Sequence, residues 1–266
     1  MTMNDSVLMV DRSRNANSPA LPARIELVDT RERVREAALR RRAIWIALRA
    51  QDLVLLNELA PPHGQLRGDH RLIVRDRVGH GRSEFLRTLF GYVISPDNHI
   101  RLLPPDQLIE VVSSSNRHDL FMGLAVDEED DSFVFYRGSL ERIVVPLSFL
   151  RDRISERLDA SDLEVVEYGQ AVRHGTREAS TDAILYAFDP DYRRRKKSNL
   201  IEQDASFGGA LRRLRKLRGL ARSDFGGISS KEIARLERGE VQHPHARTLA
   251  MIAERLGVEP ADISSF

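Results

Sequence analysis

Apolar residues are spaced in two different ways along this chain, and the change of spacing divides it. From Phe207 onward they recur every three or four positions, the period of helices with one buried face. Leu211, Leu214 and Leu217 predict a first helix, ended by Gly219. Ser229 followed by Glu232 has the spacing of a capping box and opens a second strong helix, with Ile233 and Leu236 inward and Gly239 at its C′ position. Leu249, Ile252, Ala253 and Leu256 fit i, i+3, i+4, i+7 for another, closed by Gly257, and Pro260 opens a last turn.

Between residues 101 and 190 the apolar runs are shorter and bounded by turn residues. Leu120–Val126, Phe133–Tyr136 and Leu140–Pro146 predict strands, the last two joined in hairpin fashion across Arg137-Gly138-Ser139. Leu163–Tyr168 predicts a further strand. Glu178–Phe188 predicts a helix with Ala183, Ile184 and Ala187 inward. A small α+β domain follows, ended by Asp189-Pro190-Asp191. Upstream, Trp45, Leu48, Leu55 and Leu59 fall near one face of a helix predicted over 31–59 and stopped by Pro61-Pro62. Short strands are predicted over 71–75 and 92–95. Residues 1–23, rich in Asn, Ser, Asp, Arg and Pro without periodicity, are expected to be disordered. The expected organisation is therefore 1–23 disordered, 24–100 of open fold and partly helical, 101–190 an α+β domain, 191–206 a basic linker and 207–266 an all-α domain. A chain starting near Arg101 is expected to keep its fold.

Composition narrows the chemistry. The 266 residues are 41% hydrophobic and 30% charged, ordinary for a globular chain, and contain no cysteine. Disulfide frameworks, thiol nucleophiles and Cys-ligated metals are thereby excluded. The apolar run Ala43–Leu48 is broken by Arg49, far short of a membrane span, and Ser6–Val10 is too brief for a secretory segment. We expect a soluble, cytoplasmic chain. The formal net charge of +1 hides a segregation. From Tyr192 to Arg222 there are 11 basic side chains against 2 acidic ones, whereas Gly123–Asp191 has 16 acids against 7 bases. A basic surface for a polyanion next to an acidic domain is the natural reading. Short helices with tight glycine turns beside that basic stretch suggest a helix-turn-helix reader of double-stranded DNA.

Three blocks carry a more specific likeness: Leu211-Arg-Arg-Leu-Arg-Lys-Leu-Arg-Gly-Leu220, Ile228-Ser-Ser-Lys-Glu-Ile-Ala-Arg-Leu-Glu-Arg-Gly239, and Thr248-Leu-Ala-Met-Ile-Ala-Glu-Arg-Leu-Gly-Val258. In this order they resemble the Cro/C1-type (Xre-like) helix-turn-helix of bacterial and phage repressors, over about 50 residues of the chain. Ala221-Arg-Ser-Asp-Phe-Gly-Gly227 is shorter than that family's second helix and turn and leaves room for about one helical turn. The resemblance implies a five-helix fold with the helix from Ser229 to Arg238 in the major groove. Ser229, Ser230, Lys231 and Arg235 would then face base edges, Arg222 would face a phosphate, and Arg238 joins the candidate DNA contacts. Glu237 would pair with an arginine of the first helix. Chemistry agrees with these roles. Lys231 and Arg235 lie four apart and project from one face, and Arg or Lys against guanine is worth roughly 1–3 kcal/mol of discrimination. The amides of Ser230 and Lys231, at a helix start, are natural anion donors. The middle region, through Val144-Val-Pro-Leu147, Tyr168-Gly-Gln-Ala-Val-Arg173, Ala183-Ile-Leu-Tyr186 and Asp191-Tyr-Arg-Arg-Arg195, resembles a bacterial α+β domain often found upstream of such modules. That resemblance carries no activity with it; dimerisation, a small ligand or a protein partner are all open for 101–190.

Other chemistry is set aside. Asp127-Glu-Glu-Asp-Asp131 lacks the spaced ligands and glycine of a calcium loop and reads as a solvated turn. The eight histidines form no His-Glu-x-x-His pair; His243 and His245 flank Pro244 and are expected to cap a helix or meet a phosphate. Gly79-His-Gly-Arg-Ser-Glu84 has no Gly-Lys-Ser/Thr ending and is no phosphate loop. We expect no enzyme, no catalytic residue, no cofactor and no metal. The expected function is a sequence-specific DNA-binding transcriptional regulator, a homodimer on a palindromic operator. The alternative is an antitoxin-like component that holds a protein partner and autoregulates its own operon.

Overall fold

The computed structural model describes residues 6–14, 18, 20–60, 66, 68–154, 160–241 and 244–265. The chain divides into two compact units, Met1–Asp189 and Pro190–Phe266. The regions 24–100 and 101–190, expected apart, both lie in the first of these. A cut at Arg101 falls inside that unit, so the expectation that such a truncation keeps the fold is withdrawn.

The first unit begins with strands β1 (Ser6–Val10) and β2 (Ile25–Val28), helix α1 (Arg31–Ala38), strands β3 (Arg42–Ala47) and β4 (Asp69–Val74), helix α2 (His80–Leu89) and strand β5 (Tyr92–Ile94). These five strands form one sheet in the order β2-β1-β3-β4-β5, parallel throughout. This is the order of one class of doubly wound α/β sheet. Two expectations fail here. Residues 6–10 are not disordered but form an interior strand, with Leu8, Met9 and Val10 at 1% exposure or less. The helix predicted over 31–59 is instead α1, β3 and a 3-10 segment, Ala50–Leu59. The reason is physical: a parallel strand covered on both faces is apolar at every position, so it fills a helical face as readily as a strand. Ala43–Ala47 are all buried. Pro61-Pro62 lie outside the described residues. Trp45 sits at the sheet's centre, its Nε1 donating to Nδ1 of buried His70 at 3.0 Å. An indole N–H only donates, so Nδ1 accepts and the His70 Nε2–H donates to the Arg40 carbonyl at 2.9 Å.

The rest of this unit is antiparallel. β6 (Arg101–Leu102), helix α3 (Pro105–Ser113), β7 (Phe121–Asp127), β8 (Ser132–Arg137), β9 (Arg142–Pro146) and helix α4 (Leu147–Arg153) follow. The four strands pair in chain order, with β8 and β9 forming the expected hairpin. β10 (Leu163–Val166), β11 (Ala171–His174) and β12 (Arg177–Ser180) make a three-stranded sheet, after which helix α5 (Thr181–Phe188) closes the unit. The predicted helix over 178–188 therefore begins later. Ser180 is its N-cap, accepting from the Ala183 N–H at 3.2 Å. Thr181, Ile184 and Leu185 are buried, while Ala183, expected inward, is exposed. Asp127–Asp131 closes the β7–β8 hairpin, and among the described residues no His, Asp or Glu group is placed to hold a metal.

The second unit is helical: α6 (Pro190–Glu202), α7 (Phe207–Leu217), a 3-10 turn at Arg222–Asp224, α8 (Ser230–Glu237), α9 (Ala246–Leu256) and a 3-10 segment at Pro260–Ser265. Residues 191–206 were expected as a linker, yet 190–202 are helix. Proline in the first turn costs a helix nothing, because its missing N–H would have had no partner there. The Arg195 and Lys196 cations lie 5.7 and 5.9 Å from the Tyr192 ring. From residue 207 the described chain holds three α-helices and two 3-10 pieces. Among the described residues no helix is long and apolar enough to cross a membrane.

Candidate nucleic-acid interface

The core of the second unit places α8. Leu211 and Leu214 of α7, Phe225, Ile233 and Leu236 of α8, Ile252, Ala253 and Leu256 of α9, and Ile263 pack into one buried cluster. α7 starts at an N-cap, Ser206, which accepts from the Gly209 N–H at 3.2 Å. It then comes very close to α8: a Cβ on Gly208 would stand 2.3 Å from the Leu236 carbonyl oxygen. Only glycine permits that approach.

α8 is cut at both ends by sequence. Ser229 caps it, its Oγ accepting from the Glu232 N–H at 3.1 Å. Gly239, at φ +71°, supplies the left-handed C′ residue that ends it. The expected turn-long second helix is present as the single turn Arg222–Asp224. Ile233 and Leu236 face the core, which turns the opposite side of α8 to solvent.

On that side Ser229, Ser230 and Lys231 are exposed. Lys231 makes no hydrogen bond or ion pair with the described residues. Arg235 keeps 43% of its side chain exposed and reaches Glu240 at 3.3 Å and Glu232 at 3.8 Å. Arg238 donates to the same Glu240 at 2.6 Å. That hydrogen bond holds the Glu240 carboxyl below its ordinary value. Exposed pairs of this kind are weak and readily exchanged for another anion.

Arg222 has a partner within its own unit. Its Nε and Nη2 donate to Oε2 of Glu237 at 2.8 and 2.7 Å, although 42% of the side chain is still exposed. Glu237 is only 2% exposed, and its Oε1 also accepts from Arg215 Nε at 2.5 Å. Arg212 stands 3.7 Å away. The first-helix partner implied for Glu237 is therefore present, and Arg222 joins it. Burial pushes the Glu237 carboxyl up, but the hydrogen bonds from Arg215 and Arg222 and their charges outweigh it and hold the group below its ordinary value. Sequence reasoning missed the role of Arg222 because its partner lies 15 residues later. Arg215 also donates to the Leu220 carbonyl at 2.7 Å, which ties the chain after α7 to the same brace. His245 stands at the N-cap position of α9 but makes no side-chain cap bond, and His243 lies outside the described residues.

Residues 211–263 match the helix-turn-helix family. The matching model is of the Cro/C1-type helix-turn-helix, a regulatory DNA-binding family, and the match suggests a DNA-binding transcription regulator. No curated protein and no solved structure matches the chain.

Proposed function

We propose that this protein is a sequence-specific, double-stranded-DNA-binding transcriptional regulator that acts as a homodimer on a palindromic operator. The observation that carries the reading is the helix α8, whose apolar face is locked into the core while its capped start and Lys231–Arg235 face remain exposed. In helix-turn-helix domains the N-terminal part of the second helix meets base edges in the major groove. Ser229, Ser230, Lys231 and Arg235 take that role here, Lys231 and Arg235 against guanine O6 and N7. Arg238 and the exposed part of Arg222 meet phosphates. Arg222 thereby has two tasks, since it also holds Glu237.

One such module reads a short half-site, and pairing two of them on a two-fold symmetric operator raises affinity and specificity together. About six phosphate contacts would give a log–log salt slope near −5. Selection of bound duplexes from a random pool tests the reading: an enriched palindrome supports it, and a pool without a consensus contradicts it. Sedimentation with the enriched duplex decides the stoichiometry, with two chains per duplex expected.

A further inference from the structure

A cavity of about 380 Å³ opens in the first unit where the edge strand β5 meets β8 and β9. Its floor is apolar: Phe90, Val93 and Ile100 are each 7% exposed or less. Phe90 is held there by an edge-on contact with Trp45, centroids 5.9 Å apart, so this wall is preformed. Tyr92 stands half-buried on one side and Tyr136, 8% exposed, on the other. Arg142 closes the arrangement. It is the cross-strand partner of Tyr136, which puts the two side chains on one face of the β8–β9 pair.

The polar groups of this cavity are unspent. Neither phenol forms a hydrogen bond with the described residues, and neither hydroxyl is among the buried polar atoms left without a partner, so both stay open to solvent in the cavity. Arg142 forms no ion pair with them either. Its charge is nonetheless felt by both phenols, whose ionisation burial pushes up and Arg142 pulls down. Arg87, at the rim, is already paired with Glu84 and adds little net charge. The cavity thus offers one uncompensated guanidinium, two neutral O–H donors and flat aromatic walls.

We propose that this cavity is a binding site for a small aromatic monocarboxylate. The carboxylate would take the two-pronged donor edge of Arg142 and the phenol hydroxyls, while the ring lies against Phe90 and between the tyrosines. A single free cation matches a monoanion better than a doubly charged phosphate. The site is independent of the DNA-binding reading, because every residue in it belongs to the first unit.

Calorimetric titration of the full chain with benzoate, phenylacetate and indole-3-acetate, each against its own amide, tests the proposal. At least one carboxylate is expected to saturate a single site and to bind about tenfold or more tightly than its amide. Arg142→Gln is expected to abolish that preference, and Tyr136→Phe to weaken the carboxylate severalfold. Arg151→Gln, which removes another exposed arginine of the same unit, is expected to leave it intact. The proposal is overturned if no carboxylate saturates, if an amide matches its acid, or if R151Q acts as strongly as R142Q. A thermal melt of each variant shows whether a loss of binding is a loss of fold; if R142Q melts early, Arg142→Lys, expected to retain the preference for the acid, replaces it in the comparison.

Discussion

Arg215 and Glu237 meet across 22 residues of sequence through a 2.5 Å contact between Nε and Oε1, and that contact joins α7 to α8 beneath the exposed face. Arg222 closes on the other carboxylate oxygen. A buried carboxylate held by two guanidiniums fixes the pose of α8 only as long as each partner is present. Glu237→Ala would leave Arg215, with a side chain 12% exposed, without its counter-charge. Unpairing a buried ion in this way costs about 3–5 kcal/mol. Chemical denaturation followed on the helical signal should show a loss of that size; a loss no larger than that of an exposed-site variant would mean the brace is idle.

The same carboxylate sets an acid limit. Its value in the folded unit lies below the ordinary one near 4.5, so the folded form binds the proton less readily than the unfolded chain. The stability it contributes is therefore complete above the ordinary value and is lost as pH falls from there through the depressed folded value. Asp204 and Glu240 of the same unit are depressed too and add to the slope. The difference between wild type and Glu237→Gln isolates one group: it should be constant above pH about 6 and shrink as the solution is acidified below about pH 4.5. A difference that does not change with acidification would show that Glu237 is not ionised in the fold.

Gly208→Ala sets two magnitudes against each other. Alanine raises helix propensity by about 1 kcal/mol in an exposed helix. Here the added methyl would stand 2.3 Å from a backbone oxygen of α8, which cannot move like the end of a flexible side chain. Overpacking of that kind costs about 1–3 kcal/mol, so the net effect is destabilising. A raised melting temperature for G208A would contradict the close approach.

Trp45→Phe would keep most of the buried volume of the parallel sheet but remove the indole N–H that donates to His70 Nδ1 at 3.0 Å. An acceptor left unmet in a buried site costs about 1–3 kcal/mol. His70→Phe also gives up the hydrogen bond to the Arg40 carbonyl, so the double-variant cycle isolates the shared bond: the double variant should lose less stability than the sum of the two single ones, and strict additivity would mean that the Trp45–His70 hydrogen bond contributes nothing.

The second unit was legible because its helices are short, amphipathic and punctuated. Ser229, Gly239 and Gly257 stand where a cap, a left-handed residue and another left-handed residue are needed, and each carries its own local chemistry. Lys231 and Arg235 were legible for the same reason, since helical phase alone puts them opposite Ile233. Arg222 was not, because its position is decided by a long-range carboxylate. Nor was the parallel sheet: Ala43-Ile-Trp-Ile-Ala47 is apolar at every position, so it has no phase to read, and β1 lies in a polar neighbourhood that hides five consecutive strand residues. What makes those segments strands is the covering of both faces, a property of the assembled unit.

The central claim is that the exposed face of α8 reads bases. Anisotropy titrations of the full chain against its selected duplex and a scrambled one, with wild type and Lys231→Ala/Arg235→Ala, test it most directly. Each bidentate contact is worth about 1–3 kcal/mol, so the double variant should bind the selected duplex at least about thirtyfold more weakly and no better than the scrambled one, with its melting temperature unchanged. Equal affinity of wild type and double variant for the selected duplex would contradict the account.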